Sequence, residues 1–241
     1  MRRTTAGIRS PFPATDRPVF RRVFLTAIIA GIAAGLVSGA LHIAKLSPLI
    51  AVAETFEAND HDADHESAAW EPAPGWQRTG ATLLADVVIA CGFGLLLSAG
   101  FAFREILAGR ETDAAQGLLW GLAGFAAFSL APSLGLPPML PGTAAAELMA
   151  RQGWWLGTAV ATASGLALIA FGRGAAWVAA GIALLVLPHL VGAPLAPAEA
   201  AGPSARLGAE FAATSLAVGA IFWTVLGSLG GWLYQHLGRV S

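Results

Sequence analysis

Long apolar segments dominate this sequence and restrict the folds that it can adopt. The first, residues 23–44, has His42 as its single ionisable side chain. It is long enough to cross the roughly 30 Å hydrocarbon core of a bilayer, which takes about 20 helical residues. Of all residues, 56% are apolar and 12% are charged, whereas soluble domains average about 25% charged residues. Because backbone polar groups inside a bilayer must be satisfied internally, we predict an all-α, polytopic helical membrane protein.

The apolar segments predict about six transmembrane helices. These are residues 23–44, 81–103, 115–131, 153–172, 175–192 and 209–233. The third is short, and only Arg173 and Gly174 separate the fourth from the fifth, so five spans is the alternative. The sequence FRRVFLT at residues 20–26 also resembles a twin-arginine export signal, with residues 51–53 as a cleavage site. The length of the apolar segment that follows it favours a retained helix instead.

The distribution of positive charge predicts the orientation, because Lys and Arg accumulate in cytoplasmic segments. If the N-terminus is inside, ten of the 14 Lys and Arg residues lie in inner segments and four in outer ones. We therefore predict residues 1–22 as a basic cytoplasmic tail, 23–233 as the transmembrane domain and 234–241 as a second cytoplasmic tail. Residues 46–79 become an extracytoplasmic segment rich in carboxylates and histidines. The expected location is a bacterial inner (cytoplasmic) membrane.

The extracytoplasmic segment holds most of the metal-binding side chains in the sequence. Its candidate ligands are Glu54, Glu57, His61 and His65. Imidazole suits cobalt and nickel, and carboxylates suit harder ions, so this mixed set predicts a borderline divalent cation. His61 and His65 would share one face if the segment became helical. The alternative is an ordinary solvated acidic surface.

Ionisable residues inside the spans are also candidate metal ligands, because burying such residues in a membrane is costly and usually marks a functional site. The strongest are His42, Asp86 and His189, and Glu147 and Glu210 lie near the starts of later spans. In the predicted topology all five fall in the outer half, which predicts an access site for a metal ion. The alternative is structural: a histidine can bind a neighbouring helix, and a carboxylate at a helix start is favoured by the macrodipole.

An ordered set of motifs resembles a known family. They are FRRVFLTAIIAGIAAGL from residue 20, PLIAVAETFE from 48, GLLWGLAGFAAFSLAPSLGLPPMLPG from 117, RQGWWLGTAVATASGLALIAFGR from 151 and LPHLVGAP from 187. Together they resemble the CbtA family of predicted cobalt transporter subunits. The resemblance implies about five spans and a role in cobalt uptake for cobalamin synthesis. It also implies a partner resembling CbtB, a small single-span subunit with a histidine-rich end. Glu54 and Glu57 match the acidic pattern that follows the family's first helix.

Other function classes are weaker. The net charge of −1 gives no reason to expect nucleic acid as a partner, and no GxxxxGK[ST] loop for nucleotide binding is present. Ser164 within TASG and His189 weakly suggest an intramembrane protease, but we predict no enzyme. We expect no tightly bound cofactor, only transported or transiently bound Co²⁺ or Ni²⁺. Gly31, Gly35 and Gly39 are spaced for close helix approach, which also allows a homo-oligomer, a non-conducting scaffold or a metal sensor.

Overall fold

The computed structural model describes residues 16–57, 72–73, 75–196 and 204–239, and across these residues the chain is helical without strands. The all-α prediction is confirmed. In chain order the helices are α1 (Asp16–Leu41), a π-helical turn (His42–Leu46), α2 (Ser47–Glu57), α3 (Trp76–Ala108), α4 (Ala114–Phe125), a second π-helical turn (Ala126–Leu130), α5 (Ala131–Ser133), α6 (Leu148–Phe171), α7 (Ala175–Val191) and α8 (Ala205–Gly238).

Five helical segments of the described chain are long and apolar enough to cross a membrane. They are Val19–Thr55, Trp76–Ala108, Ala114–Ser133, Leu148–Phe171 and Ala205–Gly238. The remaining predicted span corresponds to α7, which is apolar but has 17 residues. Its length of about 26 Å is slightly less than the hydrocarbon core of about 30 Å. The polytopic helical prediction is therefore confirmed, with five long helices and one short helix where we expected about six spans.

The chain remains helical well beyond the predicted end of the first span. A π-helical turn follows α1, in which the Ser47 N–H donates to the His42 carbonyl, and α2 continues to Glu57. Pro48 has no N–H to donate, and such a residue is tolerated in the first turn of a helix. The wider turn immediately before Pro48 lets α1 and α2 form one long rod. Part of the segment predicted as polar connection is therefore helix.

Glycines allow α1 and α3 to pack at backbone distance. A Cβ added at Gly31 would lie 2.6 Å from the Cys91 Cα, and one at Gly35 would lie 2.5 Å from the Val87 Cα. Only glycine permits this separation, because real Cβ atoms do not approach so closely. The prediction that this glycine face admits another helix is confirmed, and the other helix belongs to the same chain.

Helix α8 packs against α1, α3 and α4 and supplies most of the large buried side chains. Its Trp223 is 2% exposed. The ring centroid of Trp223 lies 4.8 Å from that of Phe93 and 5.7 Å from that of Phe128. Gly117 of α4 faces Gly227 of α8, again at backbone distance. These contacts make α1, α3, α4 and α8 the central bundle.

Helices α6 and α7 form an antiparallel hairpin beside the central bundle. They meet at Gly165 and Gly181, where a Cβ on either residue would lie 2.6 Å from the carbonyl oxygen of the other. The hairpin contacts the rest of the protein mainly through α6, which packs on the second π-helical turn and on α5. The side chains of α7 are thus separated from the α1–α3 pair.

The proline-rich residues 134–147 connect α5 to α6 without regular helix. Their prolines explain the irregular backbone, because proline cannot continue a helix interior. Leu140 is 3% exposed, and Pro138 and Met139 line a cavity beside His42. This segment, named here the 134–147 cap, therefore packs over one end of the bundle.

Candidate metal access site

His42 and Asp86 form a direct contact between α1 and α3. The His42 Nδ1 lies 2.6 Å from the Asp86 Oδ2, and the two side chains are 35% and 12% exposed. With the carboxylate ionised, Nδ1–H donates to Asp86, which leaves Nε2 as the ring nitrogen that can bind an ion. A carboxylate that orients a histidine in this way is a recurrent part of protein metal sites. The structure thus brings together two residues that the sequence singled out separately.

Local backbone features position this pair. His42 begins the first π-helical turn, and such turns are frequently found at functional sites. Asp86 faces Gly39, where an added Cβ would lie 3.3 Å from the Asp86 Oδ2. The absence of a side chain at Gly39 leaves room for the carboxylate to reach His42 across the interface.

His42 lines a cavity of about 620 Å³ at this end of the bundle. Residues from four parts of the chain surround it: the α1–α2 rod, the start of α3, the 134–147 cap and the start of α8. Polar groups in the wall include Ser47, Thr79, Thr82 and Ser215, and Met139 contributes a thioether. The cavity is large enough for a hydrated ion beside the His42 ring, and it offers oxygen and sulfur atoms in addition to imidazole.

Glu54 is held by an ion pair at the wall of the same cavity. Arg78 donates to both of its carboxylate oxygens, and the Nη1 to Oε2 distance is 3.1 Å. The side chains are 38% and 47% exposed, so the pair contributes little to stability. Glu54 could bind a metal ion only after the Arg78 contact opens. In this structure it ties α2 to α3.

His189 lies apart from the His42–Asp86 pair. It sits in the last turn of α7, directly after Pro188, and its ring packs edge-on against Trp154 at 6.0 Å between centroids. The Trp154 Nε1–H also donates to the Pro188 carbonyl over 3.3 Å. His189 is therefore part of the α6–α7 hairpin. Throughout the described residues, no group of three or more His, Cys, Asp or Glu side chains is arranged to hold a metal.

The other predicted ligands lie at or beyond the limit of the described chain. Glu57 is the last residue of α2, and its side chain is not described, while His61 and His65 fall in residues 58–71, outside the described residues. The chain on either side is well placed, since Ala51 and Gly75 both line the cavity. Metal binding by these three residues stays a prediction.

Glu147, predicted in the outer half, is the N-cap of α6. Its carboxylate accepts from the backbone N–H groups of Met149 at 2.8 Å and Ala150 at 2.7 Å. The Met149 hydrogen bond, followed by that of Ala150, lowers the pKa of this carboxyl from its ordinary value. A capping carboxylate satisfies helix-terminal donors, which favours the structural alternative for Glu147.

A second polar cluster joins three helices at the opposite end of the bundle. Arg22, 9% exposed, donates from Nη1 to Glu105 Oε2 at 3.0 Å and from Nε to the Tyr234 carbonyl at 2.6 Å. The Tyr234 hydroxyl donates to the same Glu105 over 2.6 Å, and the guanidinium carbon lies 3.7 Å from the centre of its ring. From the sequence, Arg22 was expected only as part of the basic tail, residues 1–22. Glu105 lies two residues beyond the predicted second span, 81–103, so the cost of intramembrane charge did not select it either.

The weak protease alternative has no support in this arrangement. Ser164 adjoins Gly165, which faces Gly181, whereas His189 lies eight residues further along α7. Eight helical residues span about 12 Å, and a nucleophile and its base must come within hydrogen-bond reach.

The fold defines a class of protein: a polytopic α-helical membrane protein with a histidine–carboxylate pair beside a cavity at one end. The family model described as "Probable cobalt transporter subunit (CbtA)" matches residues 20–235. The chain therefore belongs to the CbtA family, as its motifs indicated. No curated protein and no solved structure matches it.

Proposed function

We propose that this subunit admits Co²⁺ from the extracytoplasmic side and that His42 is the first ligand the ion meets within the membrane domain. The observation that carries the proposal is the contact between His42 Nδ1 and Asp86 Oδ2 at a cavity of about 620 Å³. Membership of the family described as a probable cobalt transporter subunit supports cobalt as the ion. Ni²⁺ has similar ligand preferences and is the expected competitor.

The pair suits transient binding of a transported ion. Asp86 fixes the orientation of the His42 ring, as a second-shell carboxylate does. One imidazole from the central bundle, with water or wall oxygens completing the coordination, holds an ion less tightly than a closed protein cage. Release toward a path between the helices is then feasible.

The segment between α2 and α3 is proposed to collect ions for this cavity. Glu57, His61 and His65 supply imidazole and carboxylate groups, the mixed set expected for a divalent cation. The position of Ala51 and Gly75 in the cavity wall supports the idea, because the segment begins and ends near the site that it would serve. Its contribution should matter most when cobalt is scarce.

We further propose that the protein resides in a bacterial inner membrane with both termini in the cytoplasm, and that the cobalt supplies cobalamin synthesis. The family description names a subunit, which supports a partner, and a small single-span protein resembling CbtB is the expected one. Its histidine-rich end could deliver ions or complete their coordination. His189 is a candidate contact for that partner or for a later step in the path.

Uptake of Co²⁺ in a cobalt-uptake-deficient bacterium tests the proposal, with the chain expressed alone and with its small partner. We expect His42→Ala to abolish most uptake at low cobalt without changing the amount of protein in the membrane. His236→Ala is the matched control, because His236 is an exposed helical histidine in the last turn of α8. Equal uptake by wild type and His42→Ala would refute the proposed role of the pair.

A non-conducting scaffold or sensor remains the second candidate, but the structure weakens its main support. The glycines on α1 that suggested association with a partner pack against α3 of the same chain. The two functions differ in one measurement. A sensor would bind Co²⁺ through His42 in purified form and yet give no uptake in cells, with or without the partner.

A further inference from the structure

A separate groove of about 360 Å³ runs between α3, α4 and α6, and it shares no lining residue with the His42 cavity. Its wall is almost entirely apolar and includes Leu97, Trp120, Phe128, Leu166 and Ala167. These helices meet only sparsely along this line. Helices α3 and α6 and the Ala114–Ser133 segment that begins with α4 are each long and apolar enough to cross a membrane, so hydrocarbon is the medium that surrounds the groove.

One end of the groove carries a cation whose partners are neutral. Arg104 lines the groove and donates to the Gln116 amide oxygen and, over 3.4 Å, to the Thr112 hydroxyl. Its neighbour Glu105 is engaged by Arg22 and by the Tyr234 hydroxyl. Arg104 therefore retains its full charge at the edge of an apolar groove, where an anion would compensate for it.

The same end receives additional positive charge from the turn between α6 and α7. Phe171 lines the groove as the last residue of α6, and exposed Arg173 follows two residues later. An arginine fork matches the geometry of a phosphate group and can bind it through two hydrogen bonds. Basic pockets between membrane helices are known sites for anionic lipid head groups.

We propose that this groove binds an anionic phospholipid, with an acyl chain along the apolar wall and the phosphate at Arg104. The charge of Arg104 and Arg173 selects an anionic lipid over a zwitterionic one, and the apolar wall accounts for the chain. The volume lies within the range of pockets that bind small ligands, roughly 300–1,000 Å³. The site is independent of cobalt and of the His42–Asp86 pair.

Native mass spectrometry of the purified full chain tests this site, after delipidation and incubation with equal amounts of phosphatidylglycerol and phosphatidylcholine. We expect one phosphatidylglycerol to be retained about fivefold more than phosphatidylcholine, the factor that one arginine provides near a membrane surface. Arg104→Gln should reduce the ratio toward one, and Arg104→Lys should restore part of it. Arg206→Gln is the matched control, because Arg206 is exposed in the first turn of α8, at the other end of the bundle.

A second variant tests the groove itself. Ala167→Trp fills its apolar part and should prevent retention of either lipid, even if Arg104→Gln proves too unstable to purify. The proposal would be overturned if the wild-type chain retained phosphatidylglycerol and phosphatidylcholine equally. It would also be overturned if Arg104→Gln and Arg206→Gln reduced phosphatidylglycerol retention by the same amount. It would also be overturned if a coexpressed single-span partner displaced the lipid and cross-linked to Ala167→Cys, because the groove would then be a protein interface.

Discussion

Asp86 determines which nitrogen of His42 is available to an ion. A carboxylate at 2.6 Å from Nδ1 holds the proton there, so Nε2 keeps its lone pair. The charge of Asp86 also compensates part of the charge of a bound cation. Both effects depend on ionised oxygen atoms at this position and not simply on a hydrogen-bonding group.

An Asp86→Asn substitution should therefore impair cobalt transport while preserving the shape of the site. Loss of a second-shell carboxylate typically lowers metal affinity about 10- to 100-fold, so we expect a comparable rise in the cobalt concentration for half-maximal uptake. The measurement is initial uptake rate against Co²⁺ concentration, normalised to membrane-inserted protein. An unchanged half-maximal concentration would show that Asp86 has only a packing role.

The Arg22 cluster at the other end should contribute more to stability than the exposed Glu54–Arg78 pair. Arg22→Gln leaves Glu105 without its charged partner. We expect the free energy of unfolding to fall by about 3 kcal/mol. This is the lower end of the range for breaking a buried ion pair, because Glu105 retains some solvent contact. Arg78→Gln should cost no more than about 1 kcal/mol. Thermal unfolding of both variants in the same detergent gives the comparison, and equal shifts in midpoint would contradict it.

At the level of single residues, composition and position selected His42 and Asp86 as candidates but did not predict their pairing. His42 and Asp86 are ionisable side chains within apolar segments, so the cost of burying charge selected both. Their contact joins residues 44 positions apart and depends on the relative rotation and height of α1 and α3. Those quantities come from side-chain packing across the interface, which hydrophobic periodicity does not encode. A role for His189 beside this pair stays a prediction, because His189 lies on α7, which packs against α6.

Glycine spacing determines how α1 and α3 meet. Gly31, Gly35 and Gly39 lie on one face of α1, and each position faces α3 with no space for a Cβ. Close approach of this kind increases van der Waals contact between membrane helices, where the hydrophobic effect provides little attraction. The interface also sets the distance between His42 and Asp86.

A bulky residue at Gly35 should separate the two helices. The first side-chain atom would lie 2.5 Å from the Val87 Cα, and backbone cannot move away as a flexible side chain can. We expect Gly35→Leu to cost at least about 3 kcal/mol and to yield little monodisperse protein. Gly92→Leu is the control, since an added Cβ there meets nothing within 4 Å. Size-exclusion chromatography of the two variants gives the yield of monodisperse protein. Identical yields from Gly35→Leu and Gly92→Leu would argue against the packing described.

Helices were predictable as elements, whereas their ends were not. Each predicted span falls on one continuous helical segment, because roughly 20 consecutive apolar residues are a strong signal. The first helical rod extends to Glu57, past residue 44, where the predicted first span ends, and it includes Lys45 and Pro48. Packing of this rod against α3 and α8 overrides the local preference of those residues.

The whole molecule has two chemically distinct ends. One holds His42, Asp86 and the large cavity, and the other holds Arg22, Arg104 and Glu105. The distribution of Lys and Arg predicts that the His42 end faces the outside. Transport direction depends on this orientation, which can be measured directly.

Cysteine labelling in cells should establish the orientation. In a Cys91→Ser background, which removes the single cysteine, Thr143→Cys should react with a membrane-impermeant maleimide in intact spheroplasts. Arg173→Cys should react only after permeabilisation, because it lies in the turn at the opposite end of α6. Both positions are exposed, so solvent access alone does not distinguish them. The reverse pattern would place the His42 site in the cytoplasm and exclude its role in uptake.

The Arg22 cluster has a consequence for how the protein assembles during synthesis. Its members come from α1, α3 and α8, and the Arg22 Nε contact with Tyr234 joins residues 212 positions apart. A nascent chain can neutralise Arg22 with Glu105 as soon as α3 has inserted, but the Tyr234 contacts must wait for the last helix. Because the chain emerges N-terminal end first, the earliest helix hairpin remains incomplete until translation is nearly finished. A chain truncated before α8 would therefore keep the Arg22–Glu105 ion pair but leave the Arg22 Nε without the Tyr234 carbonyl as its acceptor.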